Sequence, residues 1–311
     1  MNDSRASTAG NVDRVTYAHG RRSIDMSASV LMTLFCLALG FQQVAIKAVA
    51  ADVSPLAQIA LRSLVAAVLV GGLVCWRGIG LADLRAWLGP GLLVGLGFTA
   101  EFAFVALGLN YTLASHMSVF LYTAPVFAAL GLHFLVPGEQ LDRRQWWGIA
   151  LAFVGMVIAM APTTDHANAA AIVLGDVLGL LAGLSWAATT LVLRRSSLSE
   201  APAEQALCYQ LSVAALLLMP AAIWAGDVGT MQVSRLALAS LSFQALVISF
   251  GALLLWFSLL RRYWASQLGV FSFLSPVFGV LFGAVLLNEP LTANFMIGGG
   301  VILSGIVLVT R

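Results

Sequence analysis

The sequence predicts an all-α integral membrane protein of ten transmembrane helices, arranged as two inverted five-helix repeats. Three observations carry that prediction. Hydrophobic residues make up 60% of the 311 and charged residues only 10%, against roughly 45–50% and 25% in a soluble domain. Apolar stretches recur along the chain at the length of a helical membrane crossing, and the second half of the chain repeats the first at a nearly constant offset.

Residues 1–26 are polar, rich in Ser, Ala and Arg, and are expected to form a disordered tail. Arg21-Arg22 could open a twin-arginine signal, but the apolar stretch behind it is too long for a signal core and lacks a small-residue cleavage site. The first crossing is therefore expected to be retained. Spanning the hydrocarbon takes roughly 20 apolar residues, and crossings are expected at 27–50, 54–77, 86–109, 113–136, 143–161, 171–195, 202–225, 235–259, 265–287 and 291–310. A membrane β-barrel would alternate apolar and polar residues within segments of about ten, whereas Leu174 to Leu193 is apolar all round.

Each crossing brings its own polar or special residues. Helix 1 carries Gln42 and Gln43 near the midplane; adjacent residues point about 100° apart, so one of the two faces an internal cavity. Lys47 lies near the end of that helix, where its stem can snorkel to water. Arg62 in helix 2 and Glu101 in helix 3 both sit about 12 Å below the same membrane face, at 1.5 Å per residue. A charge in hydrocarbon costs roughly 2.5–3.5 kcal/mol on the mildest scale, so two readings stand. One is an Arg62 to Glu101 ion pair locking helices 2 and 3. The other gives Arg62 to a substrate carboxylate and Glu101 to a substrate ammonium or a coupling proton. In helix 4, His116 reads as a satisfied buried histidine or as a pH-sensitive gate, Tyr122 lies too deep for an interfacial anchor, and Pro125 removes a backbone hydrogen bond and bends the helix. Helix 5 carries Gly148 and Gly155, seven apart on one face, as helix 10 carries Gly298 and Gly305; both pairs allow close packing and mark the two helices as support.

In helix 6, Asp176 stands near the positive end of the helix dipole, Trp186 is mid-span, and Thr189 and Thr190 occupy the places that Gln42 and Gln43 hold in helix 1. Helix 7 adds Tyr209 and Gln210, helix 8 adds Gln244 and Trp256, and helix 9 adds Pro276. The expected substrate-binding set is Gln42, Gln43, Glu101, His116, Tyr122, Trp186, Tyr209, Gln210 and Gln244. Such a mixture of amide, charged and aromatic groups suits an organic solute better than a bare ion. Pro125 and Pro276 are the expected hinges.

Lys and Arg mark cytoplasmic loops. In a ten-span arrangement thirteen of the sixteen fall on one side, Arg235 alone on the other, and Lys47 and Arg62 within spans. Both termini are thus expected in the cytoplasm, with the chain in an inner membrane of bacterial type. The net charge of +2 carries no sign of a nucleic-acid partner. Cys36, Cys75 and Cys208, odd in number and far apart, read as packing residues and not as disulfides or metal ligands.

The repeat is legible residue by residue. At a shift of 151, Ala114-Ser115, Val119-Phe120 and Pro125-Val126-Phe127 reappear as Ala265-Ser266, Val270-Phe271 and Pro276-Val277-Phe278. At 150, Glu139, Leu141, Gly148 and Gly155 pair with Glu289, Leu291, Gly298 and Gly305, and at 147, Lys47 pairs with Arg194 and Pro55 with Pro202. Residues 27–161 and 171–311 are the expected halves. Five is odd, so the second half enters the membrane from the opposite side, the architecture of secondary transporters with a site near the midplane.

These residues also resemble a known family. Pro55 with Arg62 seven residues on, Ala114-Ser115 with Pro125, Ala265-Ser266 with Pro276, the Asn288-Glu289-Pro290 turn, and Gly175-Asp176 leading to Trp186 look like the EamA-type members of the drug/metabolite transporter superfamily. The resemblance covers nearly everything after residue 27. It implies ten helices in two halves, alternating access, and export of metabolites, with the aromatic amino-acid exporters as the expected branch. The family often has a Trp-Gly pair in helix 1, where this chain has Leu39-Gly40, so any role of that Trp does not carry over.

No metal-ligand spacing, nucleophile with a nearby His and acid, or phosphate loop points to an enzyme, and one chain of two inverted halves supplies no ring of charges for a channel. Polyanionic substrates would call for several basic residues in the cavity, where only Arg62 and Lys47 are available. The expected substrate is a neutral amino acid with a bulky or aromatic side chain, and the alternative is an organic-cation drug. No cofactor and no obligate protein partner are expected beside that solute and the lipid bilayer.

Overall fold

The computed structural model describes residues 25–79, 85, 87–135, 140–161, 168–196, 198, 201–263, 268, 271–272 and 274–310. The expected tail lies outside them up to residue 24, as do Glu139, Ala265 and Ser266 of the repeat. The helices are α1 Met26–Ala48, α2 Pro55–Trp76, α3 Leu88–Gly108, α4 Ala114–Leu121, α5 Ala124–Leu135, α6 Arg143–Ala159, α7 Ala169–Arg195, α8 Ala203–Trp224, α9 Arg235–Ser242, α10 Leu253–Arg262, α11 Leu274–Leu286 and α12 Ala293–Thr310, with a π-helical stretch Phe243–Ala252 joining α9 to α10. Seven helical stretches among the described residues are long and apolar enough to cross a membrane.

Local chemistry sets several of the starts. The Asp25 carboxylate accepts from the Ala28 N–H at the head of α1, and Ser54 Oγ accepts from Ala57 N–H where Pro55 opens α2. Asp142 and Gln145 form a reciprocal capping box on α6. The Ala28 N–H, with the hydroxyls of Ser27 and Tyr263, holds the Asp25 carboxyl below the usual carboxylate range.

Two helices depart from the expected continuous spans. Helix 4 breaks at Tyr122 and Thr123, between α4 and α5, because Pro125 can neither donate a helical hydrogen bond nor tolerate the preceding turn. At the break the Phe120 carbonyl accepts from both the N–H and the Oγ1 of Thr123, at 3.1 and 2.6 Å. Helix 8 keeps its length but widens into the π stretch. Pro276 lies in the first turn of α11, and the Phe271 carbonyl accepts from Cys36 Sγ at 3.2 Å. Phe120 and Phe271, paired in the sequence at a shift of 151, thus each accept from a side chain.

The exterior is apolar and the interior holds the polar groups. Val68, Val157 and Leu216 are 68%, 73% and 71% exposed, while Gln58 and Gln244 are fully buried. That inversion identifies lipid as the solvent, and the molecule is a multi-pass integral membrane bundle of about ten helices. α1 packs along α11, α2 along α8, α3 along α7 and α8, and α6 along α12. The last pair meets backbone to backbone. A Cβ at Gly298 would stand 2.6 Å from the Gly155 carbonyl oxygen, and one at Gly305 would stand 2.5 Å from that of Gly148.

The bundle has two distinguishable ends. At the near end Tyr263 donates to Asp25, and Arg77 pairs with Glu204. At the far end Ser54 donates to Asp227, Ser234 to Asp52, and the Gln232 N–H to the Asp52 carbonyl.

Candidate functional site

The buried charges lie in the middle of the bundle. Arg62, 2% exposed on α2, lays its guanidinium over the Phe102 ring of α3, 4.2 Å from the centroid. Its Nε and Nη1 have no hydrogen-bond partner. Glu101 is the neighbour of Phe102 on α3, and it is the opposite charge whose field reaches Arg62. The expected contact between the two is not made in this conformation. Residues 101 and 102 point in different directions from one helix, and the ring occupies the guanidinium face.

Glu101 also lies within the field of Tyr122, at the break of helix 4. Tyr122 meets Trp186 of α7 edge to face, with centroids 5.4 Å apart and planes at 85°. Beside Tyr122 and Cys36 lies the buried hydroxyl of Ser275 of α11. α1, α2, α3, the α4–α5 break, α7 and α11 therefore converge on one region. It combines a cation with two undonated nitrogens, a carboxylate, an aromatic pair and a buried hydroxyl. These groups match in kind a small organic molecule with both charges and a hydrophobic part.

The other expected binding residues distribute themselves differently. Gln42 and Gln43 of α1 are both buried, and the Gln43 Oε1 is unpaired. Gln244 donates to Gln58 Oε1 at 2.8 Å and to Ser240 Oγ at 3.0 Å, while Gln58 donates to the carbonyls of Ile46 and Val53. Its amide nitrogen is thus engaged in joining α2 to the π stretch. Tyr209 packs its ring onto α3, where a Cβ at Gly91 would come within 2.6 Å of it, in a cluster with Val94, Leu198 and Ala206 apart from Tyr122 and Trp186. Gln210 beside it is half-buried.

His116 belongs to a second group at the far end. Its Nδ1 lies 3.0 and 3.1 Å from the two carboxylate oxygens of Asp176, its ring stacks on Phe295 at 4.0 Å, and Thr112 Oγ1 also donates to Asp176. Lys47, expected to reach water, donates instead to the Leu109 and Thr112 carbonyls, acceptors left free after α3 ends. The Glu289 carboxylate accepts the N–H groups of Ala114 and Ser115 at the head of α4, at 2.7 and 2.9 Å. Sequence reasoning passed over Phe102, Ser275, Gln58 and Glu289 as site residues. For Glu289 a signal existed, because the repeat matches it to Glu139; the other three are ordinary residues in apolar runs.

Comparison with known proteins follows from this geometry. Residues 26–161 and 173–311 match the EamA-like transporter family. The chain is 30% identical to an uncharacterized transporter of Archaeoglobus fulgidus, over 80% of this chain and 85% of that protein. It is 30% identical to a probable amino-acid metabolite efflux pump of Escherichia coli K12, over 69% of this chain and 75% of the pump. A solved crystal structure superposes with a TM-score of 0.65 over 91% of this chain and 97% of its own, at 21% identity, a likeness of fold alone.

Proposed function

The chain belongs to the EamA-like transporter family, and from that premise we propose that it exports neutral amino acids with bulky or aromatic side chains by alternating access. Membership makes it a secondary transporter of small organic metabolites and not an enzyme. The substrate and the mechanism are the proposal. One observation carries the substrate: Glu101 lies within the field of both Arg62 and Tyr122, and the Tyr122 ring meets that of Trp186 at a near right angle. An amino acid offers its carboxylate to the free guanidinium nitrogens, its ammonium to Glu101 and its side chain to the aromatic faces. The buried amides of Gln42 and Gln43 remain for its polar edges. The Escherichia coli relative, a probable amino-acid metabolite efflux pump, supports the same class.

The test is exchange in liposomes. Protein-bearing vesicles are expected to exchange phenylalanine, tryptophan or tyrosine, and Trp186→Ala to reduce the preference for phenylalanine over alanine about two- to tenfold, the worth of one aromatic contact. An organic cation is the second reading, favoured by the absence of any hydrogen-bond or ion-pair partner on Glu101 among the described residues. Vesicles that move none of these amino acids and take up lipophilic cations would make that reading correct, with Glu101 as the counter-charge.

Several features support alternation between two inverted halves, 27–161 and 171–311. The family match falls in two stretches. The packing has counterparts under the sequence repeat: α1 lies on α11 as α7 lies on α5, and α3 lies on α7 as the π stretch lies on α1. Pro125 and Pro276 serve as the bending points. Both termini are cytoplasmic in this reading, which makes the far end the outer face. Single cysteines substituted at Arg143 and Asp165 are expected to react with an impermeant maleimide from opposite sides of the membrane; reaction of both from outside would overturn the topology.

A further inference from the structure

We propose that Glu289 is the latch that holds the far end shut in the transport cycle, by capping a helix that belongs to the other half of the chain. The inference rests on the alternating-access reading and names the residue that controls one of its two openings.

The head of α4 cannot satisfy itself. Its N-cap is Leu113, which has no side-chain oxygen, and Ala114 and Ser115 behind it are fully buried. A buried helix start needs acceptors from elsewhere. Glu289, in the turn between α11 and α12, supplies one oxygen to each N–H at the positive end of the helix dipole. The Lys47 charge lies within its field. The His116 and Asp176 pair stands on the next residue of the same turn, tying α4 to α7.

The surfaces beneath this contact suit repeated closing. α4 meets α11 across glycines: a Cβ at Gly283 would lie 2.5 Å from the Glu289 Oε2 and 3.2 Å from the Ser115 Cβ, and one at Gly279 would lie 2.5 Å from the Ser118 Cβ. Gly279 and Gly283 put no side chain of α11 across the seam, so only the small side chains of Ser115 and Ser118 have to clear it when the two helices part. All eight residues of α4 are buried, whereas α5, beyond the break at Tyr122, packs on α7 and keeps most of its residues partly open. Helix 4 is thus a lever with a joint at Pro125 and a catch at Ala114.

Glu289→Gln should open the catch, because it turns one acceptor into an NH2 group facing an N–H, donor against donor. Gly283→Ala should do the same from the other side, by displacing the carboxylate. The readout is a cysteine substituted at mid-bundle Ser275, with Cys36, Cys75 and Cys208 changed to alanine, labelled by an impermeant maleimide applied from each side of the membrane in turn. Each variant is expected to raise far-side labelling about tenfold, lower near-side labelling, and slow phenylalanine exchange. Gly300→Ala, which faces open space, should change none of these. Unchanged far-side labelling in both variants overturns the latch and leaves alternation standing. Labelling that rises from both sides together overturns alternation, and the latch with it.

Discussion

Replacing Arg62 with glutamine is expected to weaken phenylalanine binding by about 10- to 100-fold, the worth of one charge-assisted hydrogen bond to a ligand. The guanidinium is buried at 2% exposure, it lies over the Phe102 ring, and two of its nitrogens donate to nothing among the described residues. A cation left so incompletely satisfied inside a membrane is expensive, and a substrate carboxylate is the acceptor it lacks. Glutamine keeps a polar tip but neither the charge nor the length. Glu101→Gln should also weaken binding, by removing the group that faces the ammonium, and each single change strands the other charge without its compensating field. The double variant is therefore expected to recover part of the thermal stability lost by the single ones, with a coupling of about 0.5–3 kcal/mol, while transport stays lost. Melting curves of the four proteins with and without phenylalanine measure both effects. Additive stability losses would show that the two charges do not compensate each other, and undiminished stabilisation of Arg62→Gln by phenylalanine would remove Arg62 from the site.

Gly298→Leu is expected to abolish folding or to lower the melting temperature more than Arg62→Gln or Glu101→Gln does. α12 meets α6 backbone against backbone there: a Cβ at 298 would stand 2.6 Å from the Gly155 carbonyl oxygen and 2.7 Å from the Ala159 Cα. Backbone atoms cannot rotate away, so two helices of a well-packed pair must separate. Overpacking in a core costs about 1–3 kcal/mol and more when backbone is displaced, and in lipid no hydrophobic force exists to hold the helices together once their close contact is gone. Gly300→Leu on the same helix meets nothing within 4 Å and should be tolerated. Size-exclusion profiles and melting of the two variants separate a specific contact from a general intolerance of bulk; equal behaviour would mean that the glycine face does not matter.

These glycines were readable in the sequence because seven-residue spacing returns to one helix face regardless of what the helix meets. The crossings were readable for a related reason. Lipid offers no hydrogen bonds, so each span must satisfy its backbone within itself, and the apolar length of Met26–Ala48 or Pro55–Trp76 is a local property. The break near Pro125 is local too, since a ring clashes with its own helix; that Thr123 would take up the freed carbonyl needed the actual geometry.

The sequence by itself determined the solvent and the approximate crossings, and it set the expected halves and the expected depths of the polar residues. Only the tertiary structure decided what those polar residues touch. Depth follows from counting residues along one helix, but contact depends on rotation about the helix axis and on which helix stands opposite. Arg62 and Glu101 are expected at one depth, yet the ring of Phe102 lies against the guanidinium. His116 found Asp176, Gln244 found Gln58, and Tyr209 turned toward Gly91, all across helices distant in sequence. Glu289 was visible as a repeated glutamate, but its hold on Ala114 and Ser115 exists only because α11 and α4 meet through glycine at one end of the bundle. Such partnerships are set by the register between helices, a property that no single span encodes.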